Sequence, residues 1–122
     1  MRVTDSSALV AMAQQVLDDM KARDIRVLDV SGMTPITDYM VIASGTSRRH
    51  VKSIAERLVE RAKADGHPPI GVEGTDAAEW VLVDLQDVVV HVMQTQVRDF
   101  YKLEKLWELG GDSTGSTAGA GA

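Results

Sequence analysis

The residues best equipped for chemistry are three histidines, a Ser-Gly-Thr-Ser loop followed by two arginines, and a few carboxylates in the second half of the chain. Ser44-Gly45-Thr46-Ser47 runs directly into an apolar-periodic segment, so its N–H groups would stand at the positive end of a helix dipole with Arg48 and Arg49 beside them. Such a junction can cradle a phosphate. The same residues also read as a turn glycine followed by a serine N-cap. No Gly-Lys-Ser/Thr follows, so this is not a Walker loop. A nucleotidyltransferase adds to such a loop two carboxylates one residue apart on a neighbouring strand, which chelate the magnesium that bridges the substrate phosphates. The later segments offer Glu73 alone or Asp84 alone, and Asp87 lies beyond a turn from Asp84. His50, His67 and His91 share no ligand spacing, and neither His-Glu-x-x-His nor Gly-x-Ser-x-Gly occurs. With no cysteine, disulfides, thiolate zinc sites and a cysteine nucleophile are excluded, and a reducing compartment fits. No catalytic residue, cofactor or metal site is expected.

The elements that would carry these residues follow from hydrophobic periodicity. Leu9, Ala13, Val16, Leu17 and Met20 recur at helical spacing and predict a helix over 5–22, capped by Thr4 or Asp5. Ile25 to Val30 reads as a short strand, and Tyr39 to Ala43 as a strand covered on both faces. Val51, Ile54, Ala55, Leu58, Val59 and Ala62 form the apolar stripe of a second helix, stopped by Asp65-Gly66-His67-Pro68-Pro69. Ile70 to Val72 reads as a short strand. Residues 97–109 read as a last helix with Phe100, Leu103, Leu106 and Trp107 on it. The order αββαβββα predicts an α/β (α+β) domain, with a mixed, mostly five-stranded sheet and helices packed mainly on one face. Residues 1–109 are expected to form this single domain, and the Gly/Ser/Ala-rich tail 110–122 to be disordered.

The hairpin Glu79 to Met93 is the most informative stretch. If Leu85 pairs with Val88 across Gln86-Asp87, Val83 faces Val90, Leu82 faces His91, Val81 faces Val92 and Trp80 faces Met93. Alternation then gives one face of valines and another of Trp80, Leu82, His91 and Met93, with Asp84 and Val89 nearer the turn. A solvated sheet face normally carries Lys, Thr, Glu or Ser. This one is either covered by another part of the chain or meets a partner. His91 reads equally as a satisfied sheet histidine and as an interface donor. Tyr101, off the apolar side of the last helix, joins Trp80 as an interface aromatic. Asp38 reads as a turn acceptor or a rim residue.

Thirteen basic against eighteen acidic residues give a net charge of −5, opposite in sign to what phosphate backbone attracts. The one dense basic cluster is Arg48-Arg49-His50 with Lys52. Little direct nucleic-acid contact is therefore expected, and a large partner should be protein. No run approaches the ~20 apolar residues of a membrane span, and no signal peptide is read at the N-terminus. A cytoplasmic protein is the expectation.

Seven blocks in order resemble the ribosomal silencing factor (Iojap-like) family. They are Asp24-Ile25 with Leu28-Asp29-Val30, Thr37-Asp38-Tyr39 with Val41-Ile42-Ala43, Gly45 to Val51, Gly71-Val72-Glu73-Gly74, Trp80 to Asp84, Asp87 to Met93, and Arg98 to Trp107. The resemblance implies a nucleotidyltransferase-like fold without catalytic carboxylates, and a binding function in place of catalysis. It implies attachment to the large ribosomal subunit through ribosomal protein fourteen (uL14), which blocks joining of the small subunit and lowers translation under nutrient limitation. It also implies that the free protein can pair as a homodimer. Trp80, Leu82, His91, Met93 and Tyr101 are the expected partner-binding anchors, with Asp38, Glu73, Asp84, Arg98 and Glu104 as a polar rim. The alternatives are a nucleotide-binding enzyme using Gly45 to Arg49, and a homodimeric interaction module whose apolar face is closed by a second copy. One departure from the family pattern is Gln86, which occupies a hairpin position usually held by glycine.

Overall fold

The computed structural model describes residues 6–35 and 37–101, with side chains of the last helix described through Arg98. The elements are α1 (Ser6–Asp19), β1 (Arg23–Asp29), β2 (Tyr39–Gly45), α2 (Arg48–Ala64), β3 (Gly71–Glu73), β4 (Trp80–Asp84), β5 (Val88–Gln94) and α3 (Thr95–Tyr101). One five-stranded sheet runs β1-β2-β5-β4-β3. Its central pair, β2 and β5, is parallel, and every other pair is antiparallel. Those two central strands are the most continuously apolar, because both of their faces are covered. The expected element order and mixed sheet are therefore observed.

α1 and α2 cover one face. Leu9, Ala13, Val16 and Leu17 of α1 and Val51, Ile54, Leu58 and Ala62 of α2 pack onto Val41, Ala43, Val81, Val83, Val90 and Val92. The opposite face carries a smaller cluster of Val30, Met40, Ile42 and Met93, against which Leu28, Trp80 and Val97 pack. α3 follows β5 without a linker and lies against β5 and β2.

Both long helices end in the same hydrogen-bonded motif, a left-handed residue whose neighbours cap the last carbonyls. After α2, His67 N–H reaches Ala62 O and Gly66 N–H reaches Lys63 O, with Gly66 at φ 83. After α1, Ala22 N–H reaches Leu17 O and Lys21 N–H reaches Asp18 O, with Lys21 at φ 63. The first helix thus stops at Asp19 rather than Ala22, at a lysine instead of a glycine. The last helix begins at Thr95, earlier than residue 97. Its expected continuation to 109, the caps Thr4 and Asp5, and the tail lie outside the described residues.

The hairpin adopts the expected register, with Trp80 opposite Met93, Val81 opposite Val92, Leu82 opposite His91 and Val83 opposite Val90. Gln86 takes φ 78, in the left-handed region that favours glycine. The turn is tightened by Asp87 N–H to Leu85 O at 3.0 Å, and the Asp84 carboxylate accepts Gln86 N–H at 2.8 Å. That side-chain bond offsets part of the cost of placing a glutamine there.

Candidate interaction face and the Gly-Ser loop

The Gly-Ser loop is closed on itself. Ser47 Oγ caps α2 by accepting His50 N–H at 3.1 Å, and Thr46 N–H is donated to His50 Nδ1 at 2.9 Å. His50 Nε2 then donates to Met20 O at 2.7 Å, clasping the end of α1 to the start of α2. Gly45 has a packing reason as well: a Cβ there would stand 2.7 Å from Val51 Cγ2. Arg48 reaches Glu79 at 3.5 Å across an exposed surface. The Thr46 and His50 amides of this junction are thus already engaged within the chain. Among the described residues, no group of three or more His, Cys, Asp or Glu is placed to hold a metal.

The face opposite α1 and α2 is built in transverse rows, since residues paired across strands share a face. One row runs Arg26, Ile42, His91, Leu82, Glu73, with a charge at each end and apolar neighbours around the histidine. On one side of it lies Leu28, Met40, Val89, Asp84; on the other, Ser44, Met93, Trp80. Gly74 holds the approach to this edge. Its φ is 87, and a Cβ would overlap the Trp80 carbonyl oxygen, so only glycine lets the preceding loop lie against β4.

Trp80 Nε1–H donates to His91 Nδ1 at 2.9 Å, with the rings 5.9 Å apart and tilted by 52°. Trp80, Leu82 and Val89 are half-buried, whereas His91 is only 6% exposed. Burial pushes the His91 pKa down from 6.5 to about 4, so the ring is neutral near pH 7.

The expected site residues divide into four groups. Trp80, Leu82, Asp84 and Glu73 lie together and remain accessible. Met93, His91 and Arg98 are buried. Met93 is fully enclosed beside Val30, Met40 and Ile42. Arg98, 7% exposed, donates to Asp24 O at 2.6 Å and Ser44 Oγ at 3.0 Å, bracing α3 to β1 and β2. Asp38 is half-buried, and its carboxylate accepts the Ser6 hydroxyl at 3.4 Å, joining the start of β2 to α1. Tyr101 and Glu104 fall outside the described side chains. Leu28, Met40 and Ile42 also belong to this face and were not anticipated there, alongside Val89, which the hairpin register had placed on it. Only alternation within the continuous apolar run of β2 could have singled out Met40 and Ile42.

Residues 3–118 match the family described as RsfS, ribosomal silencing factor during starvation. Ribosomal silencing factor RsfS of Haemophilus influenzae is 44% identical over 100 residues, covering 82% of this chain and 98% of that protein. A Mus musculus protein, mitochondrial assembly of ribosomal large subunit protein 1, is 40% identical over 103 residues, covering 82% of this chain and 45% of its own length. A crystal structure of a Chromobacterium violaceum protein superimposes with a TM-score of 0.82 at 37% identity, covering 100% of this chain and 95% of that one. The ordered sequence blocks, the fold and these matches agree: the chain belongs to the ribosomal silencing factor family.

Proposed function

We propose that this chain is a non-enzymatic translational repressor that attaches to the large ribosomal subunit through ribosomal protein fourteen and, by occupying that surface, blocks joining of the small subunit. It acts in the cytoplasm and lowers translation under nutrient limitation. The observation that carries the reading is the half-buried Trp80 and Leu82 on a sheet face edged by Asp84 and Glu73. A tryptophan set among apolar neighbours with a charged margin is the usual composition of a protein-docking hot spot. The family description supports a ribosomal target and silencing, and the mouse relative's name refers to the large subunit. The net charge of −5 favours a protein contact over ribosomal RNA. The self-capped Gly-Ser loop supports binding in place of catalysis. A homodimer that closes the same face in the free protein is compatible with this reading, because both occupants would compete for Trp80 and Leu82.

Replacing a hot-spot tryptophan typically costs about 2 kcal/mol or more, so Trp80→Ala should weaken binding to purified large subunits at least ~30-fold. Co-sedimentation measures this, with circular dichroism checking that the variant is folded. A folded Trp80→Ala protein that co-sediments like the unsubstituted chain would place the contact elsewhere.

A further inference from the structure

We infer that His91 is a specificity-determining donor: its Nε2–H, on the sheet row between Leu82 and Ile42, is completed by a main-chain carbonyl oxygen of the docked ribosomal protein. This rests on the docking reading above and adds to it the chemistry that the partner must present.

An indole N–H can only donate. The 2.9 Å bond from Trp80 Nε1 therefore fixes Nδ1 of His91 as the acceptor. A neutral imidazole with a lone pair on Nδ1 carries its proton on Nε2. The bonding of the ring nitrogen nearer the backbone thus determines what the outer one offers, and Nε2 is the nitrogen farther from Cβ. His50 provides the internal contrast. Its Nδ1 accepts Thr46 N–H and its Nε2 donates to Met20 O, so both of its nitrogens are occupied inside the chain. His91 is 6% exposed, and its Nε2 meets no acceptor among the described residues. A buried donor left unpaired is costly, and folded proteins seldom retain one without use. An acceptor arriving with the partner resolves that cost and makes it selective.

The surroundings indicate which acceptor. In-register neighbours of His91 are Ile42 and Leu82, and its neighbours along β5 on the same face are Val89 and Met93. Asp84 and Glu73 share the face. A carboxylate or phosphate would lose its hydration there, with Asp84 and Glu73 on the face and the one cation of the row, Arg26, at its far end beyond Ile42. A carbonyl oxygen pays much less to enter, which favours an exposed loop or strand of a protein.

The test uses the full chain, purified large subunits and isolated ribosomal protein fourteen. In His91→Asn the amide lies near the Nδ1 position, keeping a partner for Trp80 while losing the outward donor. Its affinity for large subunits should fall about tenfold. In His91→Gln the amide reaches the Nε2 position and should recover most of that loss. Nitrogen-15 spectra of the histidine rings should show His91 protonated on Nε2 alone. That N–H should exchange more slowly with water once ribosomal protein fourteen is added. Protonation on Nδ1, exchange unchanged by the partner, or equal weakening by Asn and Gln in folded proteins would overturn the inference. If His91→Asn binds normally while Trp80→Ala does not, the inference alone fails. If neither substitution weakens binding, the docking face itself is wrong.

Discussion

Two histidines in this chain answer the same hydrogen-bonding question differently. His50 is satisfied on both nitrogens by backbone groups of neighbouring segments, whereas His91 is held on one side by Trp80. Sequence could identify His91 as facing Leu82, but not which nitrogen carries the proton, because that depends on the Trp80 rotamer. Burial also makes His91 a determinant of acid stability. Its folded pKa is about 4 against 6.5 for an ordinary histidine. The unfolded chain therefore takes up a proton below pH ~6.5 that the folded chain refuses until pH ~4. This stability is complete above pH 6.5 and is lost as the pH falls toward 4, up to about 3 kcal/mol at 1.36 kcal/mol per pKa unit. The charged groups sharing the face are Asp84, Glu73 and Arg26, with Arg98 on α3, and the shift itself arises from burial. Asp29, held below the usual carboxylate range by the Ser31 hydroxyl and amide, contributes only in more acid solution. Urea midpoints at pH 7 and pH 4.5 should differ much less in His91→Gln than in the unsubstituted protein. An equal drop in both would assign the acid sensitivity to other groups.

At the scale of elements, most of the fold was legible because pattern and chemistry agreed. The α2 stripe ends at Gly66, the residue its capping motif needs, and the hairpin alternation gives the observed register. The misread boundaries are places where an unusual residue occupies a special conformation. α1 stops at Asp19, closed by Lys21 with φ 63, and β1 starts at Arg23 through a register shift beside Asp24 with φ 51. Lysine does not announce a left-handed backbone, and aspartate does so only weakly beside glycine. Gln86 is another such position, and its strain is measurable. Gln86→Gly removes the penalty of a side chain at φ 78 while leaving the Asp84 carboxylate bonded to the same N–H. It should stabilise the protein by about 1 kcal/mol, less the greater disorder glycine adds to the unfolded chain. The urea midpoint should rise with an unchanged slope. A lower midpoint would mean that the Asp84 bond already relieves the turn.

For the whole molecule, the decisive arrangement is a sheet with two unequal apolar faces. One is covered by α1 and α2; the other is only partly covered, where α3 turns back directly from β5. Sequence alternation identified which residues face that second side. It could not say that α3 would bury Met93 and draw Arg98 inward, because covering depends on where a helix folds back rather than on strand periodicity. What remains accessible is narrower than the sequence suggested, with Trp80 and Leu82 at its centre and Glu73 and Asp84 at its margin. Occupation of a large-subunit surface by a small acidic protein is the central claim. The most direct measurement mixes purified small and large ribosomal subunits with and without this protein and separates them on a sucrose gradient. The protein should travel with the large subunit while the joined-ribosome peak shrinks and the free-subunit peaks grow, and Trp80→Ala should restore joining. A protein that stays at the top of the gradient, or one that binds while the joined peak remains unchanged, would contradict the account.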